Sequence, residues 1–458
     1  MKTILINVFD AAVAKNIFMP QFLQEAARMQ DSVRIVVSVP QSKLDEYVRD
    51  YGHPALTFVA RPQRYASRLE SAALFIARNT IPTTSALRIQ EKGLDGTGRL
   101  PPVRFAFARL MWLLGHIYLF RSLIKKVLAP VFAHSIFDDL IAQYRPDLIF
   151  ATTIYAVDDV RLLRAAKRYG IPTLGMIKSW DNLTSKDAIL VPPDRLIVHN
   201  DVVKDEAIQL HGYPAESISV VGVPQFDWYV DPKFPLSKQQ LYEHLHIDEG
   251  KKLVTYSTIG LWLVPHEREN IAMMERIVRE KLDVPAQLLV RMHPAYPDEK
   301  VVLEKMFPHV IIDEPGRPVR DTSNTWKADW KFTTDDVREL SATLKYSDVI
   351  VNCGSTMILD AACFDTPVIG LAFGGDLPET NWKFEKSIFA RDHLHKVLKT
   401  GGLRLARSEQ ELIDALNAYL KDRSLDREGR KRIVTEQAPE LGRAGTNIAK
   451  AMLAAAGL

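Results

Sequence analysis

Three short stretches in the second half of the chain carry residue types suited to holding a phosphate. Ser257-Thr258 closes one apolar run, with Gly260 just beyond; Arg291-Met292-His293-Pro294 closes another; Gly354-Ser355-Thr356 follows Val349-Ile350-Val351. Short apolar runs of this kind read as parallel strands covered on both faces. A glycine-hydroxyl turn between such a strand and a helix leaves backbone N–H groups unpaired, and the helix dipole there favours an anion. The hydroxyls of Ser355 and Thr356 sit beside those donors, and His293 has a ring N–H to give a phosphate oxygen. Asp360 lies at i+4 from Thr356 on the same helix face, where a carboxylate accepts from ribose hydroxyls. The plain alternative for Ser355 or Thr356 is an ordinary helix N-cap. A parallel sheet collects all three loops at the carboxyl edge of its strands, where such sheets bind ligands. Ser257, Thr258, Arg291, His293, Gly354, Ser355, Thr356 and Asp360 are therefore expected at one phosphate or diphosphate site.

A second constellation lies in the first half. KSWDNLTSKD (178–187) follows the apolar run IPTLGMI. Trp180 offers a face on which a sugar stacks, with Asn182 beside it, and Asp181 is expected to take a proton from an attacking hydroxyl, with Lys178 as the nearby cation. Asp158 and Asp159, after LIFATT, are the rival bases, and helix capping is their ordinary role. Asp181-Asn182 also has an ordinary role, as an Asx turn. No Asp-x-Asp motif stands in a loop suited to a nucleotide-bound metal ion; Asp138-Asp139 and Asp335-Asp336 read as helix-face or turn acids. Metal-independent chemistry without a cofactor is expected, with leaving-group charge met by helix-end amides, His293 and nearby cations.

Two sheets are needed to place these residues. The chain has 458 residues, 47% hydrophobic and 25% charged. Such a length suggests two cores of roughly 200 residues each, and the composition is ordinary for a globular protein. Strand and helix patterns alternate from Ile4 onward, which indicates parallel sheets with right-handed crossovers. Residues 1–230 form the first expected domain. VDPKFPLSKQQ has two prolines and no apolar period, so 231–249 reads as a linker. The alternation resumes over 250–425, and 426–458 reads as closing helices. Phe226-Asp227-Trp228 marks either a hinge or a packed aromatic anchor. EPGRPVRDTSNTWKADWKFTTDD (314–336) reads as a surface loop or small insertion.

Charge is unevenly distributed. The formal net charge is only +3. Between Arg61 and Lys126, however, twelve cations face three carboxylates, Glu70, Glu91 and Asp95. Within this region RFAFARLMWLLGHIYLFRSLIKKVLAPVF (104–132) interleaves aromatic and aliphatic residues with basic ones. Such a segment lies in a bilayer interface, where each cation near anionic lipid adds ~1 kcal/mol. A core helix with a basic edge is the other reading. No nucleic-acid motif accompanies the charge, so nucleic acid is not an expected partner. Cys353 and Cys363 are the only cysteines, too few for a disulfide framework or a cysteine zinc site. With no signal-peptide core and no spanning apolar run, the expected location is cytoplasmic, peripheral on the inner membrane face.

RMHP (291–294), GSTMILDA (354–361) and DTPVIG (365–370) give the second half a resemblance to the donor-binding domain of GT-B glycosyltransferases. The likeness is strongest to bacterial enzymes of surface-polysaccharide assembly and to their relatives that transfer glycerol phosphate from CDP-glycerol. It covers roughly residues 250–400, and over 1–230 it is mainly architectural. The resemblance implies an α/β, GT-B fold of two doubly wound Rossmann-like domains facing across a cleft. By resemblance, His293, Ser355 and Thr356 bind donor phosphates and Asp360 binds ribose. The activity implied is sugar transfer from a nucleotide-sugar donor to a glycan or lipid-linked acceptor in cell-surface polysaccharide biosynthesis, at an anionic membrane surface. A CDP-glycerol-type polyol-phosphate transferase, a nucleotide-sugar 2-epimerase and a silent binding subunit are the alternatives.

Overall fold

The computed structural model describes residues 1–458 except 9–10, 93–100, 134–135, 187, 260–263, 265, 294–299, 320–328, 332 and 375–387, with backbone alone for 11–12, 92, 317–319 and 329–331. The chain divides into two units. The first is Met1–Asp227 with Pro439–Leu458, and the second is Trp228–Ala438.

In the first unit seven parallel strands alternate with helices. The strands are β1 (Lys2–Asn7), β2 (Val33–Pro40), β3 (Leu56–Arg61), β4 (Leu148–Ala151), β5 (Thr173–Met176), β6 (Arg195–Val198) and β7 (Ile218–Val220). Their spatial order is β3-β2-β1-β4-β5-β6-β7, so the winding reverses between β1 and β4. Side chains of a strand alternate between the two faces of its sheet. Ile4 and Ile6 of β1 accordingly join one apolar cluster while Leu5 joins another, and Phe150 and Ile149 of β4 divide the same way. Both faces are covered, which is why these strands read as continuous apolar runs. The helices used below are α1 (Pro20–Met29), α2 (Arg68–Asn79), α3 (Thr84–Lys92), α4 (Pro102–Leu114), α5 (Tyr118–Leu128), α6 (Val157–Tyr169) and α7 (Asp201–His211). The C-terminal helix Ala444–Ala456 returns to this unit, and its Ile448, Ala449 and Met452 pack in one core with Ile4, Phe22 and Val37.

In the second unit a six-stranded parallel sheet has the order β10-β9-β8-β13-β14-β15. Its strands are β8 (Lys252–Ser257), β9 (Ala286–Arg291), β10 (Ile311–Asp313), β13 (Val349–Asn352), β14 (Val368–Leu371) and β15 (Leu403–Ala406). The winding reverses between β8 and β13. A separate antiparallel pair, β11 (Arg317–Val319) with β12 (Asp329–Lys331), occupies part of the expected surface insertion. Four helices matter below: α8 (Lys238–Leu245), α9 (Glu267–Glu280), α10 (Thr334–Tyr346) and α11 (Met357–Cys363).

Two segments differ from expectation. The stretch 231–249, read as a linker, contains α8. Ser237 and Gln240 form a capping box, and Leu241 and Tyr242 are buried in the second unit's core. The two prolines lie before the cap, where they do not interrupt the helix. The closing helices are broken at Pro439, and only the last of them belongs to the first unit. Among the described residues no helix is long and apolar enough to cross a membrane.

Candidate active site

In the second unit the three strand-end loops converge because β9, β8 and β13 are neighbours. Ser257 stands in register with Arg291 on one side and Asn352 on the other. The loops are stitched together just beyond the sheet. The His293 backbone N–H donates to Thr258 Oγ1 at 2.8 Å, and the Thr258 N–H donates to the Arg291 carbonyl at 3.1 Å. The Ser257 hydroxyl donates to the sulfur of Met357 in the first turn of α11. Burial holds the His293 imidazole below its ordinary pKa. It is therefore neutral near pH 7, with a ring N–H to donate but no charge. Gly260 and Pro294 lie outside the described residues.

The glycine turn is built by a residue the sequence reading passed over. Asn352 Oδ1 accepts from the N–H groups of Gly354 (2.6 Å) and Ser355 (2.7 Å), and Asn352 Nδ2 donates to Ser355 Oγ at 2.6 Å. Ser355 Oγ in turn accepts from the Met357 N–H at 3.2 Å. An Asn followed two positions later by Gly is an Asx-turn signal that could have been read directly. Three amides expected to cradle an anion are thus already satisfied, and α11 has only seven residues. Those amides are not free to meet an anion, and Thr356 makes no capping hydrogen bond. Gly354 has φ +98°, and a Cβ there would sit 2.5 Å from Ile388 Cγ2, so no other residue fits.

Two other expected residues are committed elsewhere. Arg291 is 4% exposed and pairs with Asp313 and, at 3.1 Å, with Glu339. Burial alone would lower its pKa, but those two carboxylates reverse the direction and raise it. A guanidinium held this way ties β9 to β10 and α10 and does not reach toward a ligand. Asp360 is buried and accepts from the Tyr229 hydroxyl at 2.5 Å. Burial, followed by the Asp360 charge, holds that phenol well above its ordinary pKa. A ribose bound by Asp360 would have to share it with Tyr229. Beneath the site, Glu267 of α9 accepts from the Tyr256 hydroxyl (2.7 Å) and the Ile259 N–H (2.8 Å), fixing the loop after β8.

In the first unit, 152–159 and 178–186 share the carboxyl edge, since β4 and β5 are neighbours. Asn182–Lys186 forms one turn of π-helix, a conformation frequent at functional sites. Asp181 accepts from the Ser179 hydroxyl at 2.8 Å and pairs with the exposed Lys186 at 2.9 Å. Asn182 is buried. It accepts from the Ser179 N–H, and its Nδ2 has no partner among the described residues. Trp180 does not fit its expected role: the indole is 7% exposed, which leaves no ring face for a sugar. Lys178 is half-buried on the same loop.

The switch point between β1 and β4 is filled by a buried polar network. Asp158 pairs with Arg61 at 2.7 Å and with Arg161 at 3.1 Å. Arg161 also makes two 2.8 Å bonds to Glu70, and Arg61 Nε donates to Asn7 Oδ1 at 3.0 Å. Asp159 is fully buried and accepts from Asn7 Nδ2 (2.7 Å) and from the Thr153 N–H (3.1 Å) and hydroxyl (2.7 Å). Burial pushes its carboxyl up to about 7, against those three donors and with a smaller push from Asp158. The native chain therefore keeps this proton after the unfolded chain has released it, and stability falls as pH rises from about 4 to about 7. The Asp159→Asn variant removes this dependence. Its plot of unfolding free energy against pH is expected to differ in slope by about 1 kcal/mol per pH unit between pH 5 and 7. An identical slope in urea unfolding would mean that Asp159 is ionised in the native chain.

No protein-family model matches the chain, and no curated protein matches its sequence. Solved structures do match its fold. S. aureus MnaA, solved with UDP, superposes with a TM-score of 0.56 at 14% identity, over 99% of this chain and 96% of that one. UDP-GlcNAc 2-epimerase from Neisseria meningitidis, bound to UDP-GlcNAc, gives 0.55 at 11% identity, over 99% of this chain and 100% of that one. A glycosyltransferase from Rickettsia africae ESF-5 gives 0.51 at 11% identity, over 99% and 98%. The chain has the GT-B fold, with two Rossmann-like domains.

Proposed function

We propose that the chain is a glycosyltransferase that moves a sugar from a nucleotide-sugar donor to a glycan or lipid-linked acceptor at a membrane surface, without a metal ion. In this reading the second unit takes the donor through Thr258, His293, Ser355 and Thr356, and the first unit supplies the base, Asp181. Asp158 is the weaker candidate because its two oxygens face two buried guanidiniums, whereas Asp181 pairs with an exposed lysine.

The observation that favours transfer over other GT-B activities is the outer face of α4 and α5. Phe107, Leu110, Leu113, Ile117, Leu123 and Val127 are exposed there beside Arg104 and Lys126. Exposed apolar side chains recurring along a helix mark an interaction site, and the flanking cations match an anionic bilayer. Such a face suits an enzyme that works on a lipid-anchored acceptor; an enzyme with only water-soluble substrates would use it for self-association. The 2-epimerase reading is the second, favoured by the likeness to the N. meningitidis epimerase, which covers 99% of the chain.

A thermal-shift screen against UDP, GDP, CDP and CMP tests the donor site, since a ligand bound only by the native state raises the melting temperature. UDP is the first candidate because the S. aureus and N. meningitidis proteins were solved with UDP and UDP-GlcNAc. His293→Ala and Ser355→Ala are each expected to weaken the stabilising nucleotide about 10-fold, the loss of one charge-assisted hydrogen bond. Unchanged affinity in His293→Ala removes the donor-site assignment. Nucleoside diphosphate released only when acceptor is added supports glycosyl transfer. Release of CMP from CDP-glycerol supports phosphotransfer, and an epimer formed without acceptor supports epimerisation.

A further inference from the structure

A cavity of about 600 Å³ lies in the first unit, on the edge of the sheet opposite to the strand-end loops. Its walls come from α5, the last turns of α6 and α7, and the segments that enter β6 and β7. Arg121, Lys125, Lys126, Arg164 and Lys167 line it, against one carboxylate, Asp194. That carboxylate is engaged, since Asp194 Oδ2 accepts from the Thr173 N–H at 2.9 Å and hydroxyl at 2.7 Å.

Little else neutralises these cations. Lys126, Arg164 and Lys167 form no ion pair among the described residues. Arg121 is 8% exposed, and its Nε is buried without a hydrogen-bond partner. Lys125 donates to the His211 carbonyl at 3.2 Å, and burial with the neighbouring Arg121 pulls its ammonium down to about 8. Like charges gathered in a concavity raise the local concentration of anions.

The position of the cavity on α5 indicates which anion. Tyr118, Arg121, Ser122 and Lys125 recur at helical spacing and face the cavity. Leu119, Leu123 and Val127 form the adjoining stripe and face solvent, Leu119 at 77% exposure. A helix lying with that stripe in the acyl boundary holds its flank at the height of lipid phosphates. We propose that the cavity seats the phosphate of one anionic phospholipid headgroup, so that docking occurs at a defined site. This inference rests on the membrane-facing part of the function proposed above and is independent of the donor site.

Flotation with phosphatidylcholine vesicles, with and without phosphatidylglycerol, tests the membrane reading in the unsubstituted protein. The site is tested by Arg164→Ala/Lys167→Ala, which leaves the apolar stripe intact. Its affinity for phosphatidylglycerol vesicles is expected to fall about 10-fold or more, while Arg68→Ala/Arg78→Ala, with the same charge loss on α2, costs about 3-fold at most. Equal losses in the two pairs mean diffuse attraction and overturn the site. Monomeric dihexanoyl phosphatidylglycerol is expected to raise the melting temperature saturably, in Leu119→Ser/Leu123→Ser as well as in the unsubstituted chain, and not in Arg164→Ala/Lys167→Ala. Inorganic phosphate stabilising the protein equally well assigns the cavity to a soluble phosphate and overturns the lipid. If the unsubstituted protein fails to float with anionic vesicles, the membrane reading falls; absence of any shift with the short-chain lipid refutes the cavity assignment itself.

Discussion

Asp181→Asn is expected to lower kcat by about 10²–10⁴-fold, the usual contribution of a positioned general base, with nucleotide affinity changed less than about twofold. Asparagine keeps the shape of the side chain and the hydrogen bond from the Ser179 hydroxyl, 2.8 Å away in the native chain. What it lacks is the lone pair that accepts the acceptor's proton as the glycosidic bond forms. Lys186 loses its ion-pair partner, but it is exposed and pays little for that. Asp158→Asn is expected to behave differently. It leaves the buried Arg61 and Arg161 with less counter-charge, so lower stability accompanies any loss of rate. Steady-state kinetics with a titration of donor nucleotide separates the two. Full activity in Asp181→Asn, with activity lost in Asp158→Asn at unchanged melting temperature, transfers the role to Asp158.

Arg161→Met is expected to destabilise the protein by about 3–5 kcal/mol, the cost of breaking a buried pair from one side. Arg161 is fully buried and meets Glu70 through two 2.8 Å bonds. It also donates to the carbonyls of Arg64 (2.9 Å) and Tyr65 (3.2 Å). Burial alone would raise the Glu70 carboxyl, but Arg161 and the Ser67 donors outweigh it and hold the carboxyl below its ordinary range. Without the guanidinium Glu70 is a buried charge with no counter-ion among the described residues. The Glu70→Gln/Arg161→Met double variant removes that charge as well, and is expected to recover more than half of the loss. Urea unfolding measures both. A single-variant loss under about 1 kcal/mol would show that the pair behaves like a surface salt bridge.

The sequence showed most clearly what depends on covered parallel strands. Ser257, His293 and Ser355 could be placed at one edge because each follows an apolar run, and such runs share a direction once helices cover both faces. Side-chain direction was not visible in the same way. Arg291 closes an apolar strand just as Ser257 does, yet its partners Asp313 and Glu339 are 22 and 48 positions away. Trp180 looked like a stacking platform because it stands among polar residues, and only the tertiary structure shows the indole buried. Two signals were present and went unread. Asn352 two positions before Gly354 announces the Asx turn, and Ser237 three before Gln240 announces α8 behind two prolines. The Glu70–Arg161 pair, 91 positions apart, leaves no local trace.

The return of Ala444–Ala456 to the first unit governs the order in which this protein is completed. A ribosome releases all of the second unit before the helix that covers Ile4, Phe22 and Val37. Until that helix emerges, the apolar ground beside α1 and over β4, β5 and β6 stays open in the nascent chain. Asp227, whose carboxylate accepts from the N–H groups of Ala444 (3.0 Å) and Gly445 (2.8 Å), stands ready at the point where the chain first leaves that unit to catch it on its way back.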